Sequence, residues 1–288
     1  MADSARRPQS LAEELRAAAS FLQAAGSEEP RLEAEMLAAH VLGVERSSLW
    51  KREEPLEPPL AERFAAFLQR RAAGEPVAYL EGSRGFWGLE FRVDPRVLIP
   101  RPDSEVLIEA ALDLELAAQG TVADWGVGSG ALLLSFLHER PGWQGLAVDA
   151  SADALAVARE NAELLGLAAR VRQVESDWGS ALDHASVDLI LCNPPYIEPG
   201  EELGPGVLEH EPAQALFTPP GQPYAPYERI LQDAERVLRP GGFLILELGR
   251  ARIDGVAQRA LDAGWRERDR RRDLGGVWRC LVLELPAA

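Results

Sequence analysis

The sequence predicts an α/β protein, a seven-stranded, mostly parallel sheet covered by helices, preceded by a small helical bundle and a β-hairpin linker. Three observations carry this. From residue 101 onward, short apolar runs alternate with amphipathic ones, the pattern of buried strands joined by crossover helices. The first hundred residues lack that alternation and show three amphipathic stretches followed by an aromatic run. The last two strand-like runs have no helix between them, so they pair antiparallel and reverse one strand of the sheet. A chain of 288 residues accommodates one large domain and one small one. The expected division is a helical domain over 1–75, a hairpin linker over 76–100 and a sheet domain over 101–288.

Each element has a local reason. Ser10 and Glu13 have capping-box spacing ahead of Leu11, Leu15, Ala18, Ala19 and Leu22, and Gly26 stops the run. Pro30 opens a second helix carrying Leu32, Met36, Leu37 and Val41, which Gly43 ends. A third, from about Pro59 to Ala73, places Leu60, Phe64, Phe67 and Leu68 on one face. Phe86, Trp87, Leu89, Phe91 and Val93 then form a strand-like run, and Asp94-Pro95 turns the chain before Val97-Leu98-Ile99. Pro100-Arg101-Pro102-Asp103-Ser104-Glu105 starts a helix with proline and acidic residues in its first turn. Beyond it, strands end near Trp125, Asp149, Glu175, Cys192 and Leu248, with helices over 130–138, 152–165 and 227–238. Runs at 265–269 and 277–285 close the sheet.

Composition narrows the function. With 47% apolar and 26% charged residues, the chain has ordinary globular material for a core. A net charge of −16 repels phosphate backbones, which disfavours nucleic acid as a partner. The one dense basic run, Arg266 to Arg272, is interrupted by Glu267 and Asp269 and reads as a solvated strand edge. No apolar run reaches membrane-spanning length and the N-terminal stretch lacks an apolar signal core, so a cytoplasmic protein without a membrane partner is expected. Cys192 and Cys280 sit in apolar runs without metal-ligand spacing; neither a metal site nor a disulfide is expected.

Two segments carry chemistry. Gly126-Val127-Gly128-Ser129-Gly130 follows the first strand of the sheet and opens a helix. Glycines let that backbone turn sharply and approach a ligand, and the helix behind them offers unpaired N–H groups. Asp149 ends the next strand, where a carboxylate can accept both hydroxyls of a ribose. The pair reads as a site for a nucleoside-bearing cofactor, although the loop alone fits a nicotinamide dinucleotide as well as S-adenosylmethionine. Asp177 can accept from an adenine amino group, and Trp178 either covers an adenine face or packs into the core.

The second segment is Asn193-Pro194-Pro195-Tyr196, which closes the apolar run Val187–Cys192 at the sheet end where ligands bind. Two prolines fix the backbone and remove two N–H donors, leaving carbonyls. With the Asn193 side-chain oxygen they offer acceptors matched to the two hydrogens of an NH₂ group, and Tyr196 offers an aromatic face for a flat amide or base. By themselves these residues suit an adenine amine and a glutamine amide equally well.

With these segments in view, the chain resembles the release-factor glutamine methyltransferase family (HemK/PrmC). The resemblance covers the helical N-terminal region, Leu98-Ile99-Pro100-Arg101-Pro102-Asp103-Ser104-Glu105, Asp124 to Gly130, Asp177-Trp178, Asn193 to Tyr196, Glu211-Pro212 and Arg272 to Arg279. It implies a class I S-adenosylmethionine-dependent methyltransferase fold, a seven-stranded, mostly parallel Rossmann-like sheet. It also implies S-adenosylmethionine held by Gly126, Val127, Gly128, Ser129, Gly130, Asp149, Asp177, Trp178 and Asn193. The implied substrate is the Gly-Gly-Gln glutamine of bacterial class I peptide chain release factors, methylated at N5. That substrate is bound by Asn193, Pro194, Pro195 and Tyr196, with Asn193, Pro194 and Tyr196 catalytic. The separate composition of the N-terminal bundle makes it the part expected to recognise the release factor. A sister group methylates a ribosomal-protein glutamine and resembles Val-Pro-Arg-Ser-Pro where this chain has Ile99-Pro-Arg-Pro-Asp103, which favours the release-factor branch. Departures from the family pattern are Trp125 and Val127 in place of Leu and Thr, Cys192 in place of Ser, and the proline-rich Thr218–Tyr224. The alternatives are an adenine-N6 nucleic-acid methyltransferase, disfavoured by charge and by the lack of a target-recognition domain, and a non-catalytic interaction module.

Overall fold

The computed structural model describes residues 10–201, 203–204 and 206–287; the N-terminal stretch read for a signal core lies outside them. The chain forms two compact units, Met1–Gly82 with Leu203–His210, and Ser83–Glu202 with Glu211–Ala288.

The first unit contains helices α1 (Leu11–Ala24), α2 (Pro30–Leu42), α3 (Pro58–Ala72) and α4 (Val77–Glu81), with a helical turn at Val207–His210. The α1 capping box is complete: Ser10 Oγ accepts from Glu13 N at 3.4 Å, and the Glu13 carboxylate accepts from Ser10 N at 3.0 Å. Gly43 ends α2 in the left-handed region, and Val44 N donates back to Ala39 O at 3.0 Å. Leu11, Leu22, Leu37, Ala38 and Phe64 bury the facing stripes of these helices. Arg71 of α3 donates from two nitrogens to the Glu33 carboxylate of α2, at 3.0 and 2.9 Å.

The second unit begins with a hairpin, β1 (Ser83–Phe86) and β2 (Leu89–Arg92). Its two-residue turn has Trp87 at φ 51° and Gly88 at φ 69°, which matches the twist of the flanking strands. Phe86 and Phe91 join the core beneath the large sheet, so the hairpin belongs to the second unit, while residues 77–81 of the stretch read as a linker form α4. The sheet comprises β3 (Gly120–Trp125), β4 (Trp143–Asp149), β5 (Val171–Glu175), β6 (Val187–Cys192), β7 (Leu238–Glu247), β8 (Arg266–Arg272) and β9 (Trp278–Glu284), in the order β5-β4-β3-β6-β7-β9-β8. Strand β9 runs antiparallel to both its neighbours, and the other adjacent pairs are parallel.

Helices α5 (Glu105–Asp113), α6 (Ala131–Glu139), α7 (Ala152–Leu164), α8 (Ala225–Val237) and α9 (Ile253–Asp262) cover the sheet. Alternate residues of β6 serve the two faces: Leu189 and Leu191 enter one core, Ile190 and Cys192 the other. Helix α9 is absent from the sequence reading, yet Ile253, Val256, Ala257 and Ala260 bury one face of it at helical spacing. The basic run Arg266–Arg272 is the edge strand β8, and acidic partners neutralise it: Arg270 meets Glu267 and Asp254, and Arg271 meets Asp269 and Asp113. Cys192 and Cys280 are buried thiols. Among the described residues no helix is long and apolar enough to cross a membrane.

Candidate active site

The carboxyl ends of β3, β4 and β6 open into a cleft of about 1120 Å³, counting its open mouth. A cleft there follows from topology, because the crossovers leave β3 towards one edge of the sheet and β6 towards the other. Of the residues singled out from sequence, Gly126, Val127, Gly128, Ser129, Asp149, Asp177, Trp178, Asn193 and Pro195 line it. Gly130, Pro194 and Tyr196 do not. Gly130 instead caps α6, Pro194 is buried, and Tyr196 packs its ring against the backbone of Gly249, where a Cβ would sit 2.9 Å from the ring.

The β3 side is a backbone cradle. Gly126, Gly128 and Gly130 adopt φ values of 75°, 51° and 85°, a succession that side chains resist. Asp149 fixes the loop by accepting from Gly128 N at 3.1 Å and orders the start of α7 by accepting from Ser151 N at 2.9 Å. Burial raises its pKa, and N–H groups of Ser151, Gly128 and Ala150 oppose that rise. Asn161, buried on α7, accepts from Arg92 N at 2.7 Å and donates to Arg92 O and Ser129 O at 3.0 and 2.8 Å, tying the hairpin to the loop. Trp178 both lines the cleft and packs on the core.

Asp124 also lines the cleft. Its Oδ2 accepts from Leu133 N at 3.1 Å, while Oδ1 is buried without a partner. Burial, with Asp149 nearby, pushes its pKa up to about 7. An orphaned carboxylate oxygen beside a glycine cradle suits a ligand carrying both a cationic donor group and a nucleoside. The residues present therefore fit S-adenosylmethionine, whose ammonium and ribose would meet Asp124 and Asp149.

The β6 side is built from side chains distant in sequence. Asn193 Nδ2 donates to Ser104 Oγ at 3.3 Å. Tyr196 donates to Glu247 Oε1 at 3.5 Å, and burial lifts the Tyr196 pKa to about 12. Glu247 ends β7 fully buried; burial raises its pKa to about 7 against the opposing effects of Ser104, Arg279 and Tyr196. Glu211, buried as well, accepts from Ile99 N at 3.1 Å and pairs with Arg101, which fixes the Ile99-Pro-Arg segment on the cleft wall. Sequence reading gave no role to Ser104, Asp124, Asn161 or Glu247. The available signal was a carboxylate set in an apolar strand, as in Phe243-Leu-Ile-Leu-Glu247.

Residues 13–82 match the family described as PrmC N-terminal domain, and residues 102–210 match the Methyltransferase small domain. Among solved structures, a ribosomal protein L11 methylase from Lactobacillus delbrueckii subsp. bulgaricus superposes with a TM-score of 0.52 at 19% identity, over 68% of this chain and 85% of its own. A methyltransferase from Pyrococcus furiosus gives 0.52 at 17% identity, over 78% and 99%. The sheet and its helices are the class I S-adenosylmethionine-dependent methyltransferase fold, and the protein is a methyltransferase enzyme. A Release factor glutamine methyltransferase from Cereibacter sphaeroides is 44% identical over 280 residues, covering 96% of this chain and 99% of its own length. Another, from Moorella thermoacetica, is 42% identical over 91% and 93% of the two chains. This chain belongs to the release factor glutamine methyltransferase family.

Proposed function

We propose that the protein transfers a methyl group to N5 of the Gly-Gly-Gln glutamine of bacterial class I peptide chain release factors. The observation that carries this reading is the meeting of Asn193 and the Gly126–Ser129 cradle on the walls of one cleft. The methyl donor is S-adenosylmethionine, which when bound supplies an already activated sulfonium methyl. Gly126, Val127, Gly128, Ser129, Asp124, Asp149, Asp177 and Trp178 would hold it.

The protein's task is to orient a poor nucleophile. An amide nitrogen is weak because its lone pair is delocalised into the carbonyl. Asn193 Oδ1, on the cleft wall, and a carbonyl of the turn that follows it accept its two hydrogens, which favours the pyramidal, electron-rich form reached in the transition state. Pro194 and Pro195 hold these acceptors in place, and the half-buried Tyr196 braces the turn against Gly249 rather than acting as a base. The surplus proton leaves the nitrogen after methyl transfer, when the group is strongly acidic.

The helical domain at residues 1–75 recognises the release factor. Phe21 and Trp50 of that domain are 46% and 78% exposed, an apolar display suited to a protein partner. Trp50→Ala should raise KM for the intact release factor several-fold; an unchanged KM removes the assignment. The decisive test is mass spectrometry of class I release factors incubated with the enzyme and labelled S-adenosylmethionine. A single methyl group on the Gly-Gly-Gln glutamine is expected, and methylation elsewhere or none overturns the reading.

A further inference from the structure

Two segments proposed to hold the cofactor are locked to each other by a reciprocal pair of tryptophans. Trp178 follows β5 and lines the cleft, and its ring lies 3.7 Å from where a Cβ on Gly126 would sit, an ordinary packing distance. Trp125 stands immediately before Gly126 at the end of β3, fully buried, and does not line the cleft. Its indole reaches the other way, to Gly179. A Cβ there would fall 2.7 Å from the Trp125 ring and 3.0 Å from Asp233 Cβ of α8. Each segment thus gives the other a ring and receives one on a glycine.

The turn that carries Trp178 is held elsewhere as well. Arg236 of α8 donates to Gly179 O and Leu182 O, each at 2.6 Å, and Ser176 Oγ accepts from Ala181 N at 3.0 Å. Trp178 itself has φ 48°, in the left-handed region that a bulky side chain rarely adopts. Such a conformation persists only where its surroundings over-determine it, and these strained positions cluster where ligands are gripped. Trp125 contributes volume rather than hydrogen bonding, since its Nε1 is buried with no partner.

We propose that Trp125, Gly179 and Arg236 are positioning residues for the cofactor: the Trp125 ring and the Arg236 guanidinium hold Gly179 so that Trp178 presents its face at the adenine site before S-adenosylmethionine arrives. The inference deepens the reading of Trp178 as a cofactor residue and rests on it. Because Trp125 does not line the cleft, it acts on affinity through the turn at 178–179. A smaller apolar residue in its place leaves a space under Gly179 into which the turn relaxes. Binding must then supply the order that packing supplied. A methyl group on Gly179 has the same result by the opposite route, forcing ring and turn apart.

The test is calorimetric titration of the full chain with S-adenosylhomocysteine, the demethylated cofactor, read through a double-mutant cycle. W178A should weaken binding about tenfold, the scale of a lost aromatic face. W125L should weaken it about three- to tenfold in the wild-type background but by no more than about twofold in W178A, where no ring is left to position. G179A alone should weaken it about tenfold, and markedly less in the W125L background, because the methyl then takes volume the indole has left. W125F, which keeps a ring against Gly179, should retain most of the affinity. Equal losses from W125L in both backgrounds, or none in either, overturn the proposal, because a tryptophan that merely supports the fold weakens both alike. A G179A loss that W125L leaves undiminished overturns it too. If W125L does not fold, R236M decides through the same cycle. Unaltered binding in W178A refutes the reading of Trp178 and the proposal with it, whereas a W178A loss without coupling to Trp125 refutes the positioning alone.

Discussion

The two walls of the cleft are made differently. The β3–β4 wall is mostly backbone: three glycines in the left-handed region, N–H groups and a carboxylate bound to two of them, all within 28 residues of chain from Asp124 to Ser151. The β6–β7 wall is mostly side chain: Asn193 donates to Ser104, 89 residues upstream, and Tyr196 of the same turn donates to Glu247, 51 residues downstream. A backbone wall suits a ligand of constant shape such as a cofactor. A wall of interlocked side chains suits a reacting group whose donors and acceptors must be matched one by one. Damage to the first should therefore appear in cofactor affinity, and damage to the second in turnover.

The largest expected effect tests the second wall. Asn193→Ala removes the acceptor proposed to engage the substrate nitrogen, and loss of one such preorganised group typically lowers turnover by about 10²–10³. The dissociation constant for S-adenosylmethionine, measured by calorimetry, should change no more than a few-fold. A large loss of cofactor affinity with turnover intact at saturation breaks the division between the walls.

Next in size is Asp149→Ala, on the first wall. It frees Gly128 N and Ser151 N and deletes the proposed ribose acceptor. Cofactor affinity should fall by about 10–100-fold, the equivalent of one or two hydrogen bonds to a charged group. Turnover at saturating S-adenosylmethionine should fall far less than in Asn193→Ala. Equal turnover losses in the two variants contradict the comparison.

The same contrast explains what was legible in the sequence. The backbone wall was readable because its requirements are local: Gly126, Gly128 and Gly130 occupy the left-handed region that favours glycine, and Asp149 ends the adjacent strand. The turn Asn193–Tyr196 was readable as a set of acceptors but not as a geometry, since Tyr196 turns to Gly249 and Glu247. Those contacts span about fifty residues and leave no local spacing. Ser104 and Glu211 fall inside segments that carry the family resemblance, yet nothing in their neighbours announces a partner in the cleft. Trp125 shows the same limit in the core, because the larger ring fits only where Gly179 yields, with a Cβ there 2.7 Å from the indole. Helix α9 had a readable period that the strand pattern around it obscured.

Asp124 gives the smallest effect and tests whether the cofactor wall is held ready for a charged ligand. Its carboxyl, ordinarily near 3.8, titrates near 7 because burial disfavours the ion. An acid whose folded pKa is raised binds more protons folded than unfolded between those values, so its contribution to stability falls as pH climbs from about 4 to about 7 and stays lost above. Asp124→Asn keeps the shape and can still accept from Leu133 N, without the buried charge. In the absence of cofactor the variant should be more stable than wild type at pH 8 by about 1–3 kcal/mol by chemical denaturation, with the difference shrinking towards zero below pH 4. Cofactor affinity should weaken in the same variant, because the oxygen left unpartnered for an ammonium has become part of a neutral amide. A site that is less stable when empty and tighter when filled is the signature of a charge kept for its ligand. If Asp124→Asn is neutral to stability at pH 8, the carboxylate is already satisfied in the free protein, and the cofactor wall is backbone alone.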